Sequence, residues 1–274
     1  MSAELLGARR LREVLDRHGV HPSRALGQNF VIDPNTIRKV VEAADVGSGA
    51  HVLEIGPGAG SLTLALAQRA DRVTAVEVDR YLLPVLAEVL GGVPNVEIVH
   101  ADALRFDLAG TDATDCVANL PYNVAVPVIM RLLAEAGRVV RLTVMTQKEV
   151  GERLAASPGS RTYGAPTVLA AYDAQVSVVG SISRRAFWPV PNVDSVLLRL
   201  VRRDPPDVDR NAFAAVVRTA FGQRRKTLRR ALEPLLGEGA AGALTAAGID
   251  PGDRAERVPL EGFVRLAKVA RLQD

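Results

Sequence analysis

The chain has 274 residues, 48% hydrophobic and 24% charged, with 34 lysines and arginines against 31 acidic residues. That length suits one large domain or two modest ones, and the composition excludes a disordered or fibrous chain. The single cysteine, Cys116, and the scattered histidines His18, His21, His51 and His100 exclude a disulfide framework and a clustered zinc site, so no metal is expected.

No apolar run approaches the ~20 residues needed to cross a bilayer. The opening M-S-A-E-L-L-G-A-R-R lacks the apolar core of a signal peptide and carries an acidic residue. A soluble, cytoplasmic chain with no membrane partner is expected. Residues 3–18 have the pattern of a short amphipathic helix with Leu5, Leu11 and Leu15 inward, and a loop through Leu26-Gly27-Gln28-Asn29-Phe30 follows. Asp33-Pro34 then starts a helix, with Asp33 as N-cap and Pro34 at its first position.

From His51 short apolar runs alternate with helical patterns. Strands are expected at 51–55, 73–78, 96–100, 115–119 and 139–145, with helices at 61–68, 82–90 and 126–134. This alternation predicts an α/β fold, a Rossmann-like parallel sheet covered by helices. Two further strand-like runs, 175–182 and 193–201, have no long helix between them and predict an antiparallel edge. Arg202-Arg203-Asp204-Pro205-Pro206-Asp207 reads as a linker. Beyond it helices are expected at 212–221, 226–236, 240–247 and 260–272. The expected domains are therefore 1–203, holding the sheet with the N-terminal helix and loop, and 204–274, a small all-α domain.

Glu54-Ile55-Gly56-Pro57-Gly58-Ala59-Gly60 follows the first strand of the alternation and precedes a helix, where glycine lets backbone approach a ligand closely. The next two strands end at Glu77 and Asp102. A carboxylate at the first can accept from both hydroxyls of a ribose, and one at the second from an adenine amino group. The loop departs from G-x-G-x-x-G, so a nucleoside without a pyrophosphate fits better than a dinucleotide.

Asn119-Leu120-Pro121-Tyr122 closes the fourth strand of the alternation. The Asn119 side-chain oxygen and the Leu120 carbonyl can accept from an exocyclic amine, Pro121 stiffens the turn, and Tyr122 offers a face for a planar base. An aromatic amine is a poor nucleophile because its lone pair is delocalised. Two fixed acceptors draw its hydrogens towards tetrahedral geometry and stabilise the positive charge that develops as the nitrogen gains a methyl group. A second aromatic run, Arg185-Ala186-Phe187-Trp188-Pro189-Val190-Pro191, could present Phe187 over the other face of the base, with Trp188 as a buried plug.

With L-G-Q-N-F-V-I-D (26–33), E-I-G-P-G-A-G (54–60), N-L-P-Y (119–122) and F-W-P-V-P (187–191) in this order, the chain resembles the ribosomal RNA adenine dimethyltransferases over nearly its whole length. The likeness is to the small-subunit, kasugamycin-sensitivity branch. It implies a methyltransferase with S-adenosyl-L-methionine as donor and two adjacent adenosines of the 3′-terminal hairpin loop of 16S rRNA as acceptors, each converted to N6,N6-dimethyladenosine. The implied partner is the immature 30S particle, met by a monomer. By match to the family motifs, Asn29, Val31, Gly56, Gly58, Glu77, Asp102 and Asn119 would bind the cofactor, while Tyr122 and Phe187 would sandwich the flipped adenine.

The stretch from Arg218 to Arg230 holds six basic residues, Arg218, Arg224, Arg225, Lys226, Arg229 and Arg230, and no acidic one. It is expected to face RNA phosphates. Three alternatives share parts of this pattern: a large-subunit (23S) antibiotic-resistance methyltransferase, a noncatalytic nucleic-acid-binding relative, and a nucleotide-dependent oxidoreductase. The intact N-L-P-Y disfavours the second, and the glycine spacing the third.

Overall fold

The N-terminal helix α1 (Ala8–Arg17) buries Leu11, Val14 and Leu15, residues spaced to share one helical face. Helix is expected from Ala3, but residues 5–7 are not helical. Ala3 and Glu4 lie outside the described residues, which in this computed structural model are 5–23, 25–223 and 225–270. After β1 (Phe30–Val31) comes α2 (Pro34–Ala44). Its start is chemically explicit: the Asp33 carboxylate accepts from Asn35 N at 3.2 Å and Thr36 N at 3.0 Å, and Pro34 occupies the first turn.

The alternation then runs β2 (His51–Ile55), α3 (Ser61–Ala67), β3 (Arg72–Glu77), α4 (Leu83–Leu90), β4 (Val96–His100), β5 (Asp115–Asn119), α5 (Ala125–Glu135), β6 (Arg141–Gln147) and α6 (Lys148–Leu154). It continues with α7 (Ala165–Asp173), β7 (Ala174–Ile182), β8 (Phe187–Trp188) and β9 (Ser195–Arg202). The seven-stranded sheet has the order β4-β3-β2-β5-β6-β9-β7. From β4 to β6 every neighbouring pair is parallel, whereas β9 runs antiparallel to β6 with Met145 opposite Leu197. The antiparallel strand is thus inside the sheet, and β7 is its outer neighbour. Near-continuous burial of β2, β5 and β6 accounts for their unbroken apolar runs. A separate two-stranded ribbon pairs β1 with β8, Phe30 opposite Trp188 and Val31 opposite Phe187.

The chain divides into two compact units, Met1–Gly151 with Ser177–Arg202, and Glu152–Val176 with Arg203–Asp274. This corrects the expected boundary. Residues 152–176 fall on the sheet side of that boundary, but they pack with the C-terminal helices α8 (Arg210–Gly222), α9 (Leu228–Leu236), α10 (Ala240–Ala246) and α11 (Leu260–Ala270). The physical reason is two tyrosines. The Tyr172 ring lies 4.7 Å from that of Phe213 and Tyr163 lies 6.0 Å from Phe221. Their hydroxyls donate to Val208 O at 2.6 Å and Val258 O at 2.9 Å. Arg210 adds a two-pronged ion pair to the buried Asp173. The last two residues of the helix expected over 260–272 lie outside the described residues.

Candidate active site

The order β3-β2-β5 reverses direction at β2, since β3 follows it on one side and β5 lies on the other. In open α/β sheets the crevice beyond the strand ends at such a point is the ligand site. There the first unit holds a cavity of about 240 Å³, walled by residues 26–31 and by the segments that follow β2, β3, β4 and β5. It gathers Asn29, Val31, Gly56, Gly58, Glu77, Asp102, Asn119, Leu120, Pro121 and Tyr122 in one place.

The glycine loop is held from behind. Gly56 and Gly58 have φ of 69° and 60°, in the left-handed region. A Cβ on Gly58 would lie 2.9 Å from the Phe30 ring, so the loop and β1 approach each other as only glycine permits. Gly58 N donates to Glu77 Oε2 at 3.2 Å, and Asp79 N to Glu77 Oε1 at 2.9 Å. Glu77 therefore ties the loop to the end of β3. Burial holds its carboxyl above the ordinary range, with these two backbone donors opposing the shift. Asp102 caps its own turn, accepting from Leu104 N at 2.8 Å through Oδ1.

Asn119 is the pivot of the other wall. Its Nδ2 donates to Asn29 O at 2.9 Å, which uses one of the two amide N–H groups and fixes the side chain with Oδ1 as the acceptor that a ligand can meet. Leu120 N bonds back to Met145 O at 3.2 Å, fixing the turn, and among the described residues no backbone N–H bonds the Leu120 carbonyl. Tyr122 is half-buried, and its hydroxyl shares a hydrogen bond of 2.7 Å with Ser195 Oγ.

Phe187 is not at the cavity. Expected over one face of a bound base, it is fully buried and packs with Val31, Ile37, Met145 and Leu197. Its pairing with Val31 in the ribbon turns the ring into the core beneath the site. Trp188 is half-buried beside α1, with the Arg12 guanidinium 5.4 Å from its ring centre.

Two residues at the site escape a reading of the sequence. Glu54 is 1% exposed, lines the cavity, and has an Oε2 with no hydrogen-bond partner. Burial pushes its carboxyl up to about 8; the Thr63 hydroxyl nearby opposes this without reaching hydrogen-bond geometry, and the Glu77 charge adds to it. An orphaned buried carboxylate oxygen beside a glycine cradle fits a cationic, nucleoside-sized ligand. Its only sequence signal is its place at the head of the glycine motif. Gln28 is the second. It accepts from Ser23 N through Oε1 and donates to Asp79 Oδ2, both at 2.7 Å, pinning the N-terminal loop to the turn after β3.

In the second unit Arg218, Arg225, Lys226, Arg229 and Arg230 are all at least partly exposed, on α8, on α9 and in the turn between them, and Arg224 lies outside the described residues. Among the described residues no helix is long and apolar enough to cross a membrane.

Comparison with known proteins gives a consistent answer. The chain is 48% identical to the Ribosomal RNA small subunit methyltransferase A of Streptomyces avermitilis, covering 96% of this chain and 93% of the relative. The protein of the same name from Corynebacterium diphtheriae is 46% identical over 100% of this chain and 98% of its own. Among solved structures, the 23S rRNA methyltransferase ErmE matches at a TM-score of 0.71 and 31% identity, over 89% of this chain and 100% of that one. A dimethyladenosine transferase from Plasmodium falciparum shares the fold at a TM-score of 0.73 and 24% identity, over 85% of this chain and 94% of that one. A model of the Ribosomal RNA adenine dimethylase family matches residues 21–272, and the chain belongs to that family.

Proposed function

We propose that this protein transfers methyl groups from S-adenosyl-L-methionine to N6 of two adjacent adenosines in the terminal hairpin loop of small-subunit rRNA, giving N6,N6-dimethyladenosine. The observation that carries this reading is the acceptor pair at the end of β5: Asn119 Oδ1, oriented by the bond from Nδ2 to Asn29 O, beside a Leu120 carbonyl that no backbone N–H of the described residues engages.

When bound, the donor supplies a methyl carbon activated by a sulfonium. Glu54 would hold its ammonium group, the loop at Gly56 and Gly58 would take its backbone-sized end, Glu77 its ribose hydroxyls and Asp102 its adenine amine. Asn29 and Val31 close the cavity from the N-terminal side. The target adenine stacks on Tyr122, with Phe187 supporting the ribbon from the core rather than meeting the base. Asn119 Oδ1 and Leu120 O would accept the two N6 hydrogens, localise the nitrogen lone pair and stabilise the positive charge that the nitrogen gains as the N–C bond forms and the sulfonium–methyl bond breaks, its electron pair staying on sulfur. The nitrogen then loses one proton to solvent, and the nitrogen, keeping one N–H, serves the second transfer.

Five exposed basic residues from Arg218 to Arg230 suit a phosphate-facing surface. The substrate is the immature 30S particle in the cytoplasm, and the enzyme acts as a monomer. The likeness to ErmE keeps a large-subunit substrate as a second reading; the higher identity to the small-subunit enzymes favours the first. Incubating immature 30S and 50S particles with the protein and isotopically labelled donor, then digesting each RNA for mass spectrometry, separates them. Paired dimethyladenosines only in small-subunit RNA support the proposal. Label in large-subunit RNA, or in neither, contradicts it.

A further inference from the structure

Tyr122 is held by a residue that does not line the cavity. Ser195 opens β9, opposite Gln147 of β6, and is fully buried. Its hydroxyl lies 2.7 Å from the Tyr122 hydroxyl. A buried serine hydroxyl without a partner is costly, so the pair is satisfied only while the tyrosine hydroxyl keeps its place.

The strand end that carries Ser195 is itself anchored. Asp194 accepts from Arg184 N at 2.9 Å through Oδ1, and its carbonyl accepts from Lys148 N at 3.0 Å. Arg184 Nη1 donates to Asn192 O at 3.0 Å. The hydroxyl pair therefore joins the N-L-P-Y turn to a fixed point of the sheet, although the two segments are 73 residues apart in sequence.

We infer that Ser195 is a positioning residue for methyl transfer: its buried hydroxyl fixes the far end of the Tyr122 ring and so the height at which the stacked adenine presents N6 to Asn119 and Leu120. The inference rests on the function proposed above. A tyrosine ring anchored only by its Cβ can swing about two torsions, and a base lying on it moves with it. Displacements near 1 Å at a reacting centre cost up to about a hundredfold in rate.

The test uses Ser195→Ala, Tyr122→Phe and the double variant in single-turnover methyl transfer to small-subunit RNA. Affinity for S-adenosyl-L-methionine is measured in parallel by calorimetry. Each single variant is expected to lower kcat/KM for RNA about tenfold while leaving cofactor affinity within twofold of wild type. The double variant is expected to be no worse than either single one, because both remove the same bond. Losses that multiply in the double variant, or wild-type kcat/KM in either single one, would overturn the inference. Tyr122→Phe keeps the ring and leaves the buried strand intact, so it decides the matter even if Ser195→Ala fails to fold. Absence of methyl transfer by the wild-type protein would instead defeat the underlying functional reading, before any variant is compared.

Discussion

Glu54 is the most informative single residue. A carboxyl pushed up to about 8 by burial is protonated at neutral pH in the ligand-free protein. An ammonium group arriving at its unpartnered oxygen would ionise it. Cofactor binding at neutral pH is therefore expected to release a proton, read as a calorimetric enthalpy that depends on the ionisation enthalpy of the buffer. Glu54→Gln should abolish that dependence and weaken binding about tenfold; a buffer-independent enthalpy in the wild type would contradict the assignment. The same shift has a stability consequence. Because the folded value lies above the ordinary 4.5, its contribution is full below about pH 4.5 and lost as pH rises through about 8. Glu54→Gln should flatten that decline in denaturant titrations of the ligand-free protein.

At the scale of elements, the central strands β2, β5 and β6 are legible because each is buried along nearly its whole length and reads as an apolar run. The segment α7, A-P-T-V-L-A-A-Y-D, is not, because it buries Thr167, Val168, Ala170, Tyr172 and Asp173 and has no clean polar face. The β1–β8 ribbon has two residues per strand, too few for any periodicity to show. Its consequence is the main departure at the site, since ribbon pairing sends Phe187 inward. Phe187→Ala should accordingly destabilise the protein by about 3–5 kcal/mol, the usual cost of deleting a fully buried ring, measured by chemical denaturation. A loss below about 1 kcal/mol would mean that the ring is not part of the core. The N-L-P-Y and glycine segments are legible because each is contiguous in sequence. Glu54 and Gln28 are not, since their roles depend on burial and on a bond to a residue far along the chain.

For the whole molecule, a net charge of +3 says little, whereas the basic stretch from Arg218 to Arg230 is concentrated on the helical unit. Replacing Arg225 and Lys226 with glutamate should weaken binding to immature small subunits and lower the slope of log affinity against log salt by about 1.4–1.8, at about 0.7–0.9 for each phosphate that is no longer neutralised. Cofactor affinity, expected to depend on the sheet unit alone, should not change; an unaltered salt slope would remove these residues from the interface.

The most direct test of the chemistry is single-turnover methyl transfer by Asn119→Ala with RNA and donor both saturating. Loss of the Oδ1 acceptor should slow transfer by about 10²–10³-fold, the usual effect of deleting one preorganised stabilising group, while the cofactor Kd shifts no more than severalfold. Transfer at near wild-type rate in that variant would show that the adenine nitrogen is activated elsewhere.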